Sequence, residues 1–144
     1  MKNIFFAILL CSLLGFIPSG AQNQEYDIVI YGGTSAGIAA AIQSSRLGKS
    51  VILIEPSLHV GGLTTGGLGA TDIGNKSAIG GISREFYQNI KAYYDNPENW
   101  HWQTRQEYFV SNPRRNQQGE DAMWTFEPSV SQKVYDDMLA AENI

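Results

Sequence analysis

Six consecutive residues, Gly32-Gly33-Thr34-Ser35-Ala36-Gly37, are the part of this chain best suited to holding an anion. Glycines let backbone N–H groups come close to a ligand with no side chain in the way. The spacing follows G-x-G-x-x-G, the phosphate turn of dinucleotide sites, with Gly32 in the first position and Gly37 in the third. Gly32 is expected to permit the tight turn, and Gly37 the close packing of helix on strand. Thr34 stands where the second glycine belongs, so its Cβ has to be accommodated. Its hydroxyl, like that of Ser35, is able to donate to a phosphate oxygen. Glu55 lies 23 residues after Gly32, at the distance of the acid that accepts both ribose hydroxyls of an adenosine. A carboxylate there argues against a 2′-phosphate. A second glycine pair, Gly61-Gly62, opens a stretch, 61–81, that holds eight of the fifteen glycines.

The elements that must position these residues are legible in the pattern. Residues 26–31 (YDIVIY) form a β-branched run suited to a buried parallel strand. Residues 36–47 include Ile38, Ala39, Ala40, Ala41, Ile42 and Leu47, a strong helical segment by propensity, and Gly48 follows where a C-cap glycine belongs. Residues 51–54 (VILI) read as a second buried strand, ending in Glu55-Pro56. Strand, turn, helix and strand make a Rossmann-type βαβ unit, and the fold class is α/β. The stretch 61–81 carries Leu63, Leu68, Ile73 and Ile79, which a flexible linker would lack, so its backbone is expected to pack against another segment. Residues 82–94 predict a helix with Ile82, Phe86, Ile90, Tyr93 and Tyr94 along one face, and 128–141 another with Val130, Val134, Met138 and Leu139 inward. Between them, 95–127 is loop-like, with Pro97, Pro113 and Gly119, yet it holds Trp100, Trp102, Tyr108, Phe109, Trp124 and Phe126. That is too aromatic for a disordered segment.

The βαβ unit alone serves FAD and NAD equally. The run Glu55-Pro56-Ser57-Leu58-His59-Val60-Gly61-Gly62 resembles the extended FAD signature of glutathione-reductase-like flavoproteins. The wording GGTSAGIAAAI, EPSLHVGGLTTGGLGATDIG and GGISREFY is similar to the exported bacterial FAD-dependent oxidoreductases, some of which carry a xanthan-lyase label. The likeness covers residues 26–87, and less closely 124–139. It implies a glutathione-reductase-like FAD-binding domain, incomplete in this chain, with 26–144 as the N-terminal part of a longer protein. It implies further that Gly32, Gly33, Thr34, Ser35, Ala36 and Gly37 hold the pyrophosphate, and that Glu55 and Pro56 sit at the adenosine ribose. Gly61, Gly62, Leu63, Thr64 and Thr65 would follow the pyrophosphate and ribityl chain, and Gly66, Gly67 and Leu68 would approach the isoalloxazine. The reaction implied is hydride transfer from a small organic substrate to the flavin, which an unknown acceptor then reoxidises. An NAD-binding enzyme and a polysaccharide-processing protein are the alternatives.

No catalytic residue is assigned. His59 reads as a loop residue, with contact to phosphate or ribityl chain, or covalent attachment to the flavin, as alternatives. The aromatic segment has two readings: a core or interface, or a cap in which Trp100, Trp102 or Trp124 stacks on a ring while Arg105, Arg114 or Arg115 meets an anion. No zinc-ligand spacing or Ser-His-Asp constellation is visible. The net charge of -4, with ten scattered Lys and Arg, argues against nucleic acid as a partner. Residues 1–21 read as a cleaved signal peptide: Lys2, the apolar run IFFAILLCSLLGFI, Pro18, then Ser19-Gly20-Ala21. Cleavage after Ala21 would place the protein in the periplasm or outside the cell. It would also remove Cys11, the sole cysteine, whose preceding Leu10 argues against lipidation. No transmembrane anchor is expected beyond this run.

Overall fold

The structure, a computed structural model, describes residues 23–111, 113 and 117–144. The expected signal peptide, with Cys11, lies outside the described residues. Strand β1 (Ile28–Tyr31), helix α1 (Ser35–Arg46) and strand β2 (Val51–Ile54) form the βαβ unit. The strands pair in parallel, Ile28 opposite Val51 and Tyr31 opposite Ile54. Asp27 and Ser50 clamp their starts: Ser50 donates to Asp27 Oδ2 from N at 2.9 Å and from Oγ at 3.0 Å. Thr34 caps α1, its Oγ1 accepting from Gly37 N at 3.2 Å. Gly48, at φ +78°, turns the chain back toward β2 beyond the C-cap Leu47.

Three further helices follow: α2 (Gly81–Asp95), α3 (Arg105–Ser111) and α4 (Pro128–Ala141). Helix α4 has the expected bounds, and its Pro128 starts it at a position that needs no N–H partner. Ile38, Ala41 and Ile42 of α1, Phe86, Ile90 and Tyr94 of α2, and Val130, Val134, Tyr135, Met138 and Leu139 of α4 form one core. Burial of each large aliphatic side chain there contributes about 1.5–3 kcal/mol. Arg46 ties the three helices together at their rim. It makes a two-pronged pair with Glu85 at 2.6 and 2.8 Å and donates from Nε to Glu142 at 2.7 Å.

Two expectations are corrected. The strands are not buried on both faces. Ile30, Val51 and Leu53 pack on the helical core, whereas Val29 is 61% exposed, Tyr31 76% and Ile54 40%. The alternation of a pleated strand sends these residues to the opposite face, and none of the described helices covers it. The segment 95–127 is also more ordered than a loop. It contains a 3-10 turn, Pro97–Asn99, and α3, which is capped by Thr104 and Glu107. An aromatic chain holds it: Tyr94 to Trp100 at 5.2 Å, Trp100 to Tyr108 at 5.3 Å, and Tyr108 to Phe109 at 5.5 Å between ring centroids.

The glycine-dense stretch packs as expected. Its backbone pairs with 124–126: Phe126 N donates to Gly69 O at 2.9 Å and Thr71 N to Trp124 O at 3.3 Å. A Cβ on Gly69 would lie 3.0 Å from the Phe126 carbonyl oxygen. None of the described helices is long and apolar enough to cross a membrane.

Candidate functional site

The turn between β1 and α1 is shaped by two glycines with different jobs. Gly32 has φ +106° and open space where a Cβ would be, so conformation alone selects glycine there. Gly37 is selected by contact: an added Cβ would stand 2.2 Å from the Gly32 carbonyl oxygen. Gly33 is buried, and its N–H donates to Glu55 Oε2 at 2.6 Å. A Cβ on Gly33 would meet Val60 Cγ1 at 2.9 Å. The turn is therefore wedged against the end of β2 before any ligand arrives.

Glu55 accepts a second N–H, from Ser57 to Oε1 at 2.8 Å. Hydrogen bonds from Ser57, then from the Gly33 backbone, hold its carboxyl below the ordinary value of 4.5, against a smaller opposing effect of burial. Each carboxylate oxygen keeps a free lone pair, enough for one ribose hydroxyl apiece. Pro56 is exposed beside it. His59 is also exposed, and its backbone N–H is tied to Ser57 Oγ at 3.3 Å.

The second glycine segment docks on the first. Gly61, at φ +101°, donates from N to Gly33 O at 2.5 Å, and Thr34 and Gly61 form a parallel bridge. Gly62, at φ +56°, lies against Thr34, its Cβ position 3.7 Å from Thr34 Cα. Ser35 Oγ donates to Gly61 O at 3.0 Å and pairs with Thr64 Oγ1 at 2.7 Å. With its one proton directed at Gly61, Ser35 accepts from Thr64. The Ser35 hydroxyl, expected to face a phosphate, thus joins the two segments. Thr34 Oγ1 accepts from Gly37 and keeps its own proton to donate outward. Ala36 is exposed at the start of α1, where N–H groups lack intrahelical acceptors and the helix dipole is positive.

The rest of the predicted set continues from this junction. Leu63 is 77% exposed. Thr65 closes the turn, donating from Oγ1 to Val60 O at 2.5 Å. A Cβ on Gly66 would lie 3.0 Å from Gly62 O, while Gly67, at φ +110°, faces open space. Leu68 leads away from the first turn, into the lining of a cleft of about 490 Å³ with Tyr94, Trp100, Trp102, Tyr108 and Phe126.

Sequence reasoning missed four contributors: Ser57 and Val60, which set Glu55 and Gly33, and Ser131 and Tyr135 of α4. Ser131 is fully buried, and its one hydroxyl proton is shared between Pro128 O at 2.8 Å and Thr64 O at 3.2 Å. The Tyr135 ring stands 2.9 Å from the Cβ position of Gly61. Burial raises the Tyr135 hydroxyl above its ordinary pKa, and hydrogen bonding with the Ser35 and Thr64 side chains works against that. The i, i+4 spacing of Ser131 and Tyr135 put both on one helix face, but nothing in the pattern says which glycine turn that face meets.

Of the cap residues, Trp124 is 1% exposed and belongs to the interior. Its ring meets that of Tyr87 at a tilt, with Arg84 above it at 5.4 Å and its Nε1 donating to Glu120 at 3.0 Å. Arg105 is paired with Asp95 at 2.9 Å. Arg114 and Arg115 lie outside the described residues. Trp100 donates from Nε1 to Tyr94 O at 2.8 Å, and Trp102 is 87% exposed at the cleft.

Residues 27–144 match the family model described as FAD dependent oxidoreductase. This chain belongs to that family. Among curated proteins it is similar to a vinyl phenol reductase of Lactiplantibacillus plantarum, 44% identical over 54 residues, 36% of this chain and 11% of that protein. A 3-oxosteroid 1-dehydrogenase of Mycolicibacterium smegmatis is 36% identical over 56 residues, 39% of this chain and 10% of that protein. An NADH:fumarate oxidoreductase of Klebsiella pneumoniae is 32% identical over 85 residues, 58% of this chain and 8% of that protein. The matches span about a tenth of the length of these relatives. No solved structure matches.

For a member of the FAD-dependent oxidoreductase family the residues fit the cofactor. Two glycine segments meet at one junction, open space lies over Gly32 and Gly67, and a preset carboxylate closes the β2 end. Family membership decides for FAD over the NAD alternative.

Proposed function

We propose that the whole protein is an exported FAD-dependent oxidoreductase acting on a small organic molecule. The observation that carries this reading is the docking of Gly61 and Gly62 on the turn at Gly33 and Thr34, with Glu55 fixed beside it. When bound, FAD supplies the two-electron chemistry of the redox step. The chain's own work is to hold and orient it. The amides at the start of α1 and the Thr34 hydroxyl serve the pyrophosphate, and Glu55 accepts the ribose hydroxyls. Backbone from Gly61 to Leu68 runs along the remainder. The expected experiment is a visible absorption spectrum of the full-length protein after desalting. Flavin bands that fill on addition of FAD support the reading, and a colourless protein that takes up no flavin ends it.

The cleft beyond Leu68 favours a substrate with an uncharged ring. Among the described residues its lining holds the rings of Tyr94, Trp100, Trp102, Tyr108 and Phe126, together with Glu127, and neither Lys nor Arg. Two of the relatives named above are called after a phenol and a steroid. A flavin spectrum of the full-length protein should shift with a vinyl phenol and not with fumarate. The reverse result removes this substrate class. The polysaccharide alternative finds no support in the relatives, which are all named as redox enzymes. Export rests on residues 1–21 alone. Its test is the N-terminal mass of the protein recovered outside the cytoplasm, expected to begin at Gln22.

A further inference from the structure

Two glycine segments 29 residues apart in the chain have to keep one register, and neither is stiff by itself. Backbone bonding between them amounts to the Gly61–Gly33 hydrogen bond and the short bridge at Thr34. What stands behind the junction is α4. Ser131, with no exposed surface, holds the Thr64 carbonyl from below. One turn along the same helix, the Tyr135 ring stands 2.9 Å from where a Cβ on Gly61 would be, beside Ser35 and Thr64. Its ring is fixed in turn by stacking on Phe86 of α2, with centroids 4.4 Å apart. Protons run in one direction through this cluster, from Thr64 to Ser35 and from Ser35 to the Gly61 carbonyl.

We propose that Ser131 and Tyr135 are positioning residues: with Thr64 and Ser35 they form a latch that fixes the second glycine segment on the first. The Ser35 and Thr64 hydroxyls meet each other, and Ser35 meets the Gly61 carbonyl. The latch sets the spacing between the amides of the α1 turn and those that follow Gly61, and so acts on affinity through the segments it holds. What is held, FAD, rests on the function proposed above, whereas the latch itself rests on the contacts within the chain.

The test uses the full-length protein and two readouts. The first is the FAD dissociation constant, from flavin fluorescence. The second is amide hydrogen exchange over 61–65 in the FAD-free protein. Thr64→Val removes the central hydroxyl and keeps the shape, while Thr64→Ser keeps the hydroxyl. Thr64→Val and Tyr135→Leu, which takes the ring away from Gly61, are each expected to weaken FAD on the order of tenfold and to speed exchange over 61–65. The double variant should exchange little faster over 61–65 than either alone, since both release the same segment. Thr64→Ser should keep exchange over 61–65 as slow as in the unchanged protein. Ser131→Ala, a smaller change inside α4, gives an independent reading should Tyr135→Leu lower the melting temperature of the whole protein. Unaltered exchange in Thr64→Val and Ser131→Ala overturns the latch, as does equal acceleration of exchange by Thr64→Val and Thr64→Ser. An unchanged protein that binds no FAD overturns the function instead, and exchange alone then decides the latch.

Discussion

Glu55 shows how a single side chain can serve the fold and the ligand together. Its oxygens already accept the N–H groups of Gly33 and Ser57, so the carboxylate is aimed before a ribose arrives. Glu55→Gln keeps the shape but loses the charge, and an amide cannot accept at both positions. Affinity for FAD should fall by about tenfold or more, read by flavin titration. The pH dependence has a definite sign. Hydrogen bonds to the ionised form lower this group below its ordinary 4.5 in the folded protein. Its contribution is therefore fully present above that value and is lost as the pH falls through the lower, folded value. FAD affinity should be flat from neutral pH to about 5 and drop only under stronger acid, and Glu55→Gln should flatten that drop. Gly37 gives the complementary case of selection by space. Gly37→Ala would place a methyl 2.2 Å from a backbone oxygen, with no flexible side chain to yield. Strand and helix must separate, and a loss of about 1–3 kcal/mol in stability is expected, measured by thermal melting. Gly32→Ala meets no atom, so any loss there reports the strain of φ +106°.

At the scale of elements, the three long helices are joined by packing and by one cation at their rim. Arg46 reaches Glu85 of α2 and Glu142 just past α4, and both pairs lie partly in solvent. Arg46→Met keeps the aliphatic stem and removes the charge. The expected loss is about 1 kcal/mol, smaller at high salt, because screening already weakens pairs of this exposure. A melting series across salt concentration checks it. These same elements show what a sequence can disclose. The βαβ unit was legible because strand, turn, helix and acid follow one another within a single short stretch, each with its own local cause. Helix α4 was legible because Pro128 begins it and an apolar stripe runs along it. Local pattern says less about partners. Ser35 looked like a phosphate ligand until Thr64 and Gly61 arrived beside it, and those contacts span 29 and 26 residues. Trp124 looked equally able to cap a ligand or fill a core. Its burial follows from the pairing of 124–126 with the glycine stretch, which no periodicity announces. Helix α3 was hidden because it is only seven residues long, too short for a helical stripe to stand out.

At the scale of the whole molecule, the described residues have one well-filled side and one open side. Helices α1, α2 and α4 enclose a core against one face of the sheet. Val29, Tyr31 and Ile54 leave the other face apolar and in solvent, and a two-stranded sheet has both of its edges unpaired. Apolar faces of this kind, bordered by free strand edges, promote association between chains. The relatives share with this chain only about a tenth of their length, so the rest of such a protein is available to cover the face. One pair of substitutions separates the piece from the whole. Val29→Lys with Ile54→Glu puts opposite charges on that face without touching Ile30 or Leu53, which hold the core. In residues 23–144 expressed alone, the double variant should remain monomeric at concentrations where the unaltered piece associates, as read by sedimentation velocity. In the full-length protein the same changes should be destabilising, by about 2–5 kcal/mol if both side chains are buried there, because charges would then replace packed aliphatic groups. Equal tolerance in both settings would mean that the face is open in the whole protein too. Improved behaviour of the piece with loss of stability in the whole would show that this surface is an internal boundary of the larger fold.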